Sequence, residues 1–263
     1  MSTILMCRPD FYGIEYEINV WMRRSRNADR ATAQRQWQEL YATLAEKVGV
    51  EVKLMAPVKG LPDLVFTANA GLVRARKFIL SNFRYPERQR EARHFRAWFA
   101  DQGYEVAELP PDLFFEGAGD ALFCGDKLFA GYRFRSDIRS HTAIADILGC
   151  EVLSLELTDP RFYHLDTCFC PLGDGEVIYY PPAFDEYGRQ VIEANVPKRV
   201  VACEADALRF GCNAVVVGRT VVLNAGCGKL QADLRSAGYR VHEVELSEFM
   251  KAGGSAKCLT LMI

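Results

Sequence analysis

One pattern recurs along the 263-residue chain and limits its fold more than any other feature. Two short β-branched or aromatic runs flank a tight turn, then a helical pattern follows, then a further extended run. The turns lie near residues 75, 125, 174 and 218, at spacings of about 50, 49 and 44 residues. Runs that flank Gly or Asp in this way are typical of β-hairpins, and a fixed period is typical of repeat architectures. The repeating unit is therefore hairpin, helix and strand.

The four units differ in sequence but keep the same order of apolar, turn and helical residues. We expect hairpins at 70–81, 120–130, 167–180 and 213–224. Apolar residues at helical spacing predict helices over 88–102, 137–148, 187–193 and 229–237. Extended runs follow these helices at 105–107, 151–154, 199–202 and 240–244.

A fifth unit is assembled from the two ends of the chain. A helix over 30–48 and a strand over 51–54 lie near the N-terminus, and strands over 3–6 and 258–262 complete the hairpin. Five units closed in a ring leave no exposed sheet edge. No Pro/Gly/Ser-rich linker divides the chain, so we expect one α/β domain over residues 1–263.

Composition excludes several classes of protein. Hydrophobic residues make up 49% and charged residues 25%, which is ordinary for a globular domain. The net charge of -2 gives no basic footprint for nucleic acid. Apolar runs are too short for a membrane span, and the first of them, over 4–6, is too short for a signal peptide. We expect a cytoplasmic protein with neither nucleic-acid nor membrane partners.

Nine cysteines are many for such a chain, and they raise the question of disulfides or metal. The number is odd and no secretory signal precedes them, which argues against a disulfide scaffold. No C-x-x-C pair occurs, and Cys168 and Cys170 are interpreted as small buried strand residues. Cys258 differs because it follows the glycine pair 253–254. We therefore expect one reactive thiol and no metal site.

Four junctions between the repeats carry polar residues that a plain strand would not choose. Taken alone, each has a structural interpretation: a turn residue, solvated acids in a Gly-rich turn, a structural histidine, or a buried cysteine. In a closed ring, equivalent junctions converge on the axis, so these side chains are expected to line one pocket. Together they supply the groups for covalent catalysis on a planar cation. The residues are Asn69, Glu116 with Asp120, His164 with Asp166, and Cys258.

The immediate neighbours of these residues suggest how each is tuned. Glu116 follows two phenylalanines, so we expect an apolar pocket that raises its pKa. His164 and Asp166 are expected to share one face of an extended segment because side chains alternate on a strand. Lys257 is adjacent to Cys258 and is expected to favour its thiolate.

Three ordered motifs resemble a known superfamily. Phe-Glu-Gly-x-Gly-Asp at 115–120, His-Leu-Asp-Thr at 164–167 and Gly-Gly-x-x-x-Cys at 253–258 resemble those of the guanidino-group-modifying enzymes. The resemblance extends from residue 19 to residue 258. It implies the pentein fold, a five-bladed pseudo-symmetric α/β propeller.

Further motifs resemble one branch of that superfamily, the ornithine-producing arginine dihydrolases. Ile-Asn-Val-Trp-Met at 18–22, Phe-Thr-Ala-Asn at 66–69 and Pro-Glu-Arg-Gln at 86–89 are similar to segments of that branch. Val20 departs from it, because proline is usual there. Asn69 departs from the arginine deiminases and the dimethylarginine dimethylaminohydrolases, which typically have an aspartate at this position.

The resemblance implies a role for each site residue. Cys258 attacks the guanidinium carbon, His164 acts as general acid and base, Glu116 orients the guanidinium and Asp166 holds its nitrogens. Asn69 holds the carbonyl of citrulline for a second attack, which yields ornithine, CO2 and two ammonia. Substrate binding is completed by Arg135 and Arg88 at the substrate carboxylate and by Asn19 on a lid loop. A small guanidino substrate is implied, with no metal or organic cofactor.

Alternatives remain open on the sequence alone. The reaction could stop at citrulline, as in arginine deiminase or dimethylarginine dimethylaminohydrolase, or pass the amidino group to an amine, as in amidinotransferases. A non-catalytic pentein that binds the ribosome is a third class, against which the retained Cys258, His164 and Glu116 argue. The oligomeric state is left open, with a homo-oligomer among the options.

Overall fold

The computed structural model describes residues 2–263, with the side chain of Asp174 excepted. Within them are five sheets of three strands each, in the orders β15-β1-β2, β3-β4-β5, β6-β7-β8, β9-β10-β11 and β12-β13-β14. The strands are β1 (Thr3–Cys7), β2 (Glu51–Met55), β3 (Gly71–Arg74), β4 (Lys77–Leu80), β5 (Glu105–Ala107), β6 (Ala121–Cys124), β7 (Lys127–Tyr132), β8 (Val152–Glu156), β9 (Phe169–Pro171), β10 (Glu176–Tyr179), β11 (Lys198–Val201), β12 (Val215–Val217), β13 (Thr220–Asn224), β14 (Arg240–Val244) and β15 (Leu261–Met262).

Every sheet has the same internal arrangement. Its central strand pairs antiparallel with the hairpin partner on one side and parallel with the strand that follows the helix on the other. The parallel partner requires a crossover, which the helical segment between the two strands provides. The predicted five units of hairpin, helix and strand are confirmed.

The five segments predicted as helices are helical in the structure, and the short helices over Glu204–Leu208 and Ser247–Met250 were not predicted. Gly149 ends one helix in the left-handed conformation, with φ of 63°, as expected. The helix from Arg30 continues beyond Ala42 as a π-helical turn over Thr43–Val48. The α-helices are α1 (Arg30–Ala42), α2 (Pro86–Gln89), α3 (Ala92–Asp101), α4 (Ile138–Leu148), α5 (Glu186–Asn195), α6 (Glu204–Leu208), α7 (Gly228–Ser236) and α8 (Ser247–Met250).

The single helix predicted over 88–102 is wrong in its first turn. The structure divides it into α2 and α3. At the break, Arg88 N–H donates to Tyr85 O and Glu91 N–H donates to Arg88 O, so each hydrogen bond joins residues three apart. These tight turns bring the Arg88 and Glu91 side chains together in the interior at 2.8 Å. The buried ion pair therefore interrupts the helical periodicity.

Two local predictions near the site are also corrected. Cys258 lies in a turn and not on the terminal strand, which is confined to Leu261–Met262. His164 is extended, but residues 165–167 form a 3-10 turn. His164 and Asp166 therefore do not lie on one face of a strand.

Apolar side chains from strands and helices fill the space within and between the sheets. In the second sheet, Phe78 of β4 stacks on Phe99 of α3 with ring centroids 3.6 Å apart and planes at 9°. Phe95, four residues before Phe99, is also fully buried, as the helical spacing predicts. No helix in the described part of the chain has the length and apolarity needed to cross a bilayer.

Candidate active site

The site residues occupy the same position in each of the five units, immediately before the first strand of the hairpin. Asn69 lies in a 3-10 turn that leads into β3, and Glu116 precedes the turn that leads into β6. His164 and Asp166 lie at the turn before β9, and Cys258 lies in the turn before β15. The remaining unit places Asn213 before β12. The ring brings all of these positions to its axis, because side chains from separate units hydrogen bond to one another there.

Glu116 is the acceptor at the centre of a charged cluster. Its Oε2 accepts from His164 Nε2 at 2.8 Å and from Arg135 Nη1 at 2.8 Å, and its Oε1 accepts from Arg84 N–H at 3.3 Å. Arg135 is held between the rings of Tyr85 and Tyr163, with its Cζ atom 4.8 and 4.6 Å from their centroids. The cluster fixes the position of the predicted general acid and base.

The expected rise in the pKa of Glu116 is wrong. Burial alone would raise the pKa, but the positive charge of Arg135 and the hydrogen bond from His164 outweigh it, and the pKa is held well below its usual value. Glu116 is therefore ionised despite having no exposed surface.

Asp120 lies behind this cluster and does not line the cavity described below. Its Oδ2 accepts from Ser136 Oγ at 2.6 Å, and its Oδ1 accepts from Leu165 N–H at 3.0 Å. Ser136 Oγ in turn accepts from Glu116 N–H at 3.0 Å. Asp120 therefore ties the Glu116 segment to the His164 segment.

Cys258 faces the second carboxylate of the predicted set. Its Sγ lies 3.4 Å from Asp166 Oδ2, and Asn213 Nδ2 donates to Sγ at 3.1 Å. Burial raises the pKa of Asp166 to about 7, although Lys257 acts in the opposite direction. The thiol and carboxyl are thus neighbours whose charges depend on each other.

The pKa of Cys258 does not favour the thiolate expected from the adjacent Lys257. Burial first, and then the negative charge of Asp166, raise the pKa of the thiol well above its usual value. The hydrogen bond from Asn213 lowers the pKa without cancelling that rise. Lys257 acts on Asp166 instead.

Asn69 is part of a second buried network. Its Oδ1 accepts from Arg88 Nη1 at 2.9 Å, and its Nδ2 donates to Glu116 O at 3.3 Å. Arg88 also forms a two-pronged pair with Glu91, at 3.0 and 2.8 Å, and lies 3.9 Å from Asp63. Arg88 is 3% exposed, so this charged side chain lies in the interior.

Asn19 fastens the segment over the site. Its Nδ2 donates to Ala252 O at 3.0 Å, in the glycine-rich loop that precedes Cys258, and its Oδ1 accepts from the N–H groups of Trp21 and Met22. Trp21 Nε1 donates to Arg161 O at 2.8 Å. The segment containing the predicted lid residue is therefore tied to the loop before Cys258 and to Arg161.

A cavity of about 10 Å³ lies among these residues, enough for about one water molecule. A wider vestibule of about 420 Å³ adjoins it, and Asn19, Arg135 and Tyr163 line both. The inner cavity brings together five of the eight residues to which the resemblance assigns a role: Asn19, Asn69, Arg88, Arg135 and Cys258. Of the other three, Glu116 bonds to Arg135, Asp166 contacts Cys258, and the ring of His164 packs on Tyr163 of the lining.

A separate cavity of about 160 Å³, lined by Ile4, Phe169, Met262 and their neighbours, contains none of the predicted site residues. The described residues contain no group of three or more His, Cys, Asp or Glu arranged to hold a metal ion.

Sequence reasoning missed four residues that shape the site. Tyr163 and Asp63 line the inner cavity, Glu91 pairs with Arg88, and Asn213 contacts the sulfur. The repeat itself could have identified Asn213, because it precedes the one hairpin to which no site residue was assigned.

Comparison with known proteins identifies the family. A family model described as N,N dimethylarginine dimethylhydrolase, eukaryotic, matches residues 15–263. The chain is 51% identical over 265 residues to the bifunctional arginine dihydrolase/ornithine cyclodeaminase ArgZ of Synechocystis sp., covering 99% of this chain and 37% of ArgZ. It is 43% identical over 258 residues to the N(G),N(G)-dimethylarginine dimethylaminohydrolase of Mycobacterium tuberculosis, covering 98% of this chain and 84% of that protein.

Among solved structures, the N-terminal domain of a mutant ArgZ bound to substrate matches with a TM-score of 0.96 at 50% identity, covering 100% of this chain and 98% of that one. The five-bladed pentein propeller is thereby confirmed. This chain spans only 37% of the length of full ArgZ. It belongs to the dimethylarginine dimethylaminohydrolase family of the guanidino-group-modifying superfamily.

Proposed function

We propose that this chain hydrolyses L-arginine through Cys258 and carries the reaction on to ornithine. The overall balance is arginine plus two water molecules to ornithine, CO2 and two ammonia. The observation that carries the proposal is the neutral amide of Asn69, which lines the same cavity as the Cys258 thiol. The 51% identity to ArgZ, named an arginine dihydrolase, supports it.

Electrostatic attraction between the guanidinium and the buried carboxylates is the first step in substrate binding. Glu116 is ionised, and a guanidinium placed against Asp166 would lower the pKa of that carboxyl and of the neighbouring thiol, because an opposite charge favours the ionised form. The substrate cation would therefore favour the thiolate, whereas burial and the charge of Asp166 favour the neutral thiol. Arg135 lies between vestibule and inner cavity, where it would pair with the substrate carboxylate.

In the first half of the reaction, the Cys258 thiolate attacks the guanidinium carbon. His164 gives a proton to the departing nitrogen, ammonia leaves, and a thiouronium remains on the sulfur. Water, deprotonated by His164, attacks this carbon and releases citrulline. Glu116 accepts a hydrogen bond from His164 at 2.8 Å and stabilises its protonated form.

In the second half of the reaction, from citrulline to ornithine, the deciding residue is Asn69. An aspartate at this position would repel the carbonyl oxygen of citrulline, whereas the amide Nδ2 donates to an oxygen. Arg88 Nη1 donates to Asn69 Oδ1, and this hydrogen bond orients the amide. Citrulline is therefore held for a second hydrolysis, which releases ammonia, CO2 and ornithine.

The catalytic unit is one domain over residues 1–263, with a small guanidino compound as substrate. We place the reaction in the cytoplasm, where thiols remain reduced. All nine cysteines are free in the structure, in agreement with that setting.

Product analysis from L-arginine tests the proposal. We expect two ammonia per ornithine, and no turnover with Cys258→Ser. An Asn69→Asp variant should release one ammonia and accumulate citrulline. Citrulline accumulating with the native protein would refute the dihydrolase assignment.

The family also contains enzymes that act on methylated arginine, so N,N-dimethylarginine is the second substrate to assay. Dimethylamine released faster than ammonia from arginine would favour that activity. Turnover that requires an added amine acceptor would instead indicate an amidinotransferase. No turnover of any guanidine, together with co-sedimentation with ribosomes, would indicate the non-catalytic class.

A further inference from the structure

The unit that lacks a predicted site residue contributes Asn213. This side chain is fully buried and lies two residues before β12, in the position that Asn69 occupies before β3. Its neighbour across the axis is Cys258, although 45 residues separate the two in sequence.

The side-chain amide of Asn213 is satisfied on both sides. Its Oδ1 accepts from the N–H groups of Ser255 and Cys258, both at 3.1 Å. Its Nδ2 donates to Asp166 O at 3.0 Å and to Cys258 Sγ at 3.1 Å. Two backbone N–H groups can only donate, so they fix which end of the amide is the oxygen. The nitrogen must therefore face the sulfur.

We infer that Asn213 is a catalytic residue: it donates a hydrogen bond to the Cys258 sulfur and stabilises the thiolate that attacks the substrate. The inference rests on the proposed use of Cys258 as nucleophile. A hydrogen bond to a charged acceptor is roughly twice as strong as one to a neutral acceptor. The Asn213 N–H therefore favours thiolate over thiol, in opposition to Asp166.

The same amide also sets where the sulfur lies. It ties the backbone of the loop at Ser255 and Cys258 to the backbone of Asp166, so nucleophile and carboxylate keep their 3.4 Å separation. A purely structural residue would do this without changing the ionisation of the thiol. That difference separates the two roles experimentally.

The test is the pH dependence of Cys258 alkylation by iodoacetamide, followed by mass spectrometry of the Cys258 peptide because eight other cysteines are present. Asn213→Asp keeps the acceptor oxygen and the shape but replaces the donor by a charge. We expect its alkylation rate at a fixed pH near 8 to fall about 10- to 100-fold, and its profile to move to higher pH. Asn213→Ala should move in the same direction, with kcat lowered more than KM is raised.

Asn224 provides the matched control. It is equally buried, lies in the same hairpin, and donates to Arg209 O and accepts from Leu246 N–H, away from Cys258. Asn224→Ala should lower stability without moving the alkylation profile. Folded Asn213 variants with the native profile would overturn the inference, as would failure of both to fold beside a folded Asn224→Ala.

The alkylation measurement needs no turnover of arginine. If the native protein forms no ornithine but the Asn213 variants shift the profile, the proposed dihydrolase reaction fails and the role of Asn213 stands. If ornithine forms and the profile does not shift, the proposed dihydrolase reaction stands and the role of Asn213 fails.

Discussion

Asp166 is ionised only at a cost, because it is fully buried and burial raises its pKa to about 7. Its unfolded pKa is near 3.9. Between these values the folded state binds more protons than the unfolded state, so the free energy of unfolding falls as pH rises from about 4 to about 7. Above pH 7 Asp166 is ionised in both the folded and the unfolded state, and the loss in free energy of unfolding is complete. An ionised Asp166 beside the thiol therefore lowers the free energy of unfolding.

A pH profile tests the catalytic side of this penalty. Since kcat/KM reports groups of the free enzyme, it should rise with pH through about 7 as Asp166 loses its proton. Asp206→Asn is the control, since this buried carboxyl accepts from Leu230 N–H away from the cavity, and its variant should keep that limb. A native profile flat between pH 6 and 8 would contradict the assignment.

Asp166→Asn should separate activity from stability. We expect kcat/KM to fall about 10- to 100-fold, since a hydrogen bond to a charged group is lost. The melting temperature at pH 8 should be equal to or above that of the native protein, and this difference should vanish near pH 4. Circular dichroism melts at the two pH values measure it. A variant that is less stable at pH 8 would show that the carboxylate stabilises the fold.

At this scale the sequence identifies the chemical groups better than their surroundings. Glu116 follows two phenylalanines, but Phe115 is turned into an apolar cluster, and the charge that governs Glu116 comes from Arg135. Lys257 is adjacent to Cys258 along the chain, yet its charge acts on Asp166. Contacts across the ring, which a linear sequence does not display, decide these pKa values.

At the scale of elements, the segment over residues 18–22 lines both the inner cavity and its vestibule. The inner cavity of about 10 Å³ cannot hold a molecule the size of arginine. Trp21 packs on Phe210 with ring centroids 4.9 Å apart and donates to Arg161 O. The proposed reaction with arginine requires this segment to move, and these contacts oppose that movement.

Trp21→Phe keeps an aromatic ring but removes the hydrogen bond to Arg161 O. We expect Cys258 in the substrate-free protein to be alkylated about 2- to 10-fold faster, because one hydrogen bond fewer holds the segment closed. Trp98→Phe, in α3, is the control and should leave that rate unchanged. Equal rates for Trp21→Phe and the native protein would show that other contacts set the opening.

Elements are the level that the sequence predicts best. Hairpins and helices follow from local periodicity and turn residues, and these are visible in any window of the chain. The break between α2 and α3 is not visible, because it depends on burying Arg88 against Glu91 and Asn69. The turn at Cys258 likewise depends on hydrogen bonds to Asn213, from another unit.

At the scale of the whole molecule, the two ends of the chain share one sheet. In that sheet β1 pairs with β15 through Ile4 with Met262 and Leu5 with Leu261, and with β2 on its other side. The first unit is therefore complete only when β15 is in place. The recurring spacing along the chain predicts this closure, since four units leave one hairpin to be made from the ends.

Two neighbouring residues of β15 test how much this closure contributes. Leu261 is 2% exposed and packs in the core, whereas Met262 is 40% exposed. Leu261→Ala should lower the free energy of unfolding by about 2–5 kcal/mol, and Met262→Ala by less than about 0.5 kcal/mol. Denaturant melts measure both values. Equal losses would mean that the side chain of Leu261 does not secure the closing strand.

The position of Cys258 beside the closing strand has a consequence for how the protein is made. Its contacts with Asn213 and Asp166 span 45 and 92 residues, so a growing chain displays the acids and the histidine well before the sulfur joins them. Pairings so distant in sequence form late and slowly. A partly synthesised chain therefore carries no assembled nucleophile. Hydrogen bonding of the Cys258 sulfur in a newly made molecule therefore requires that units far apart in the chain have already folded.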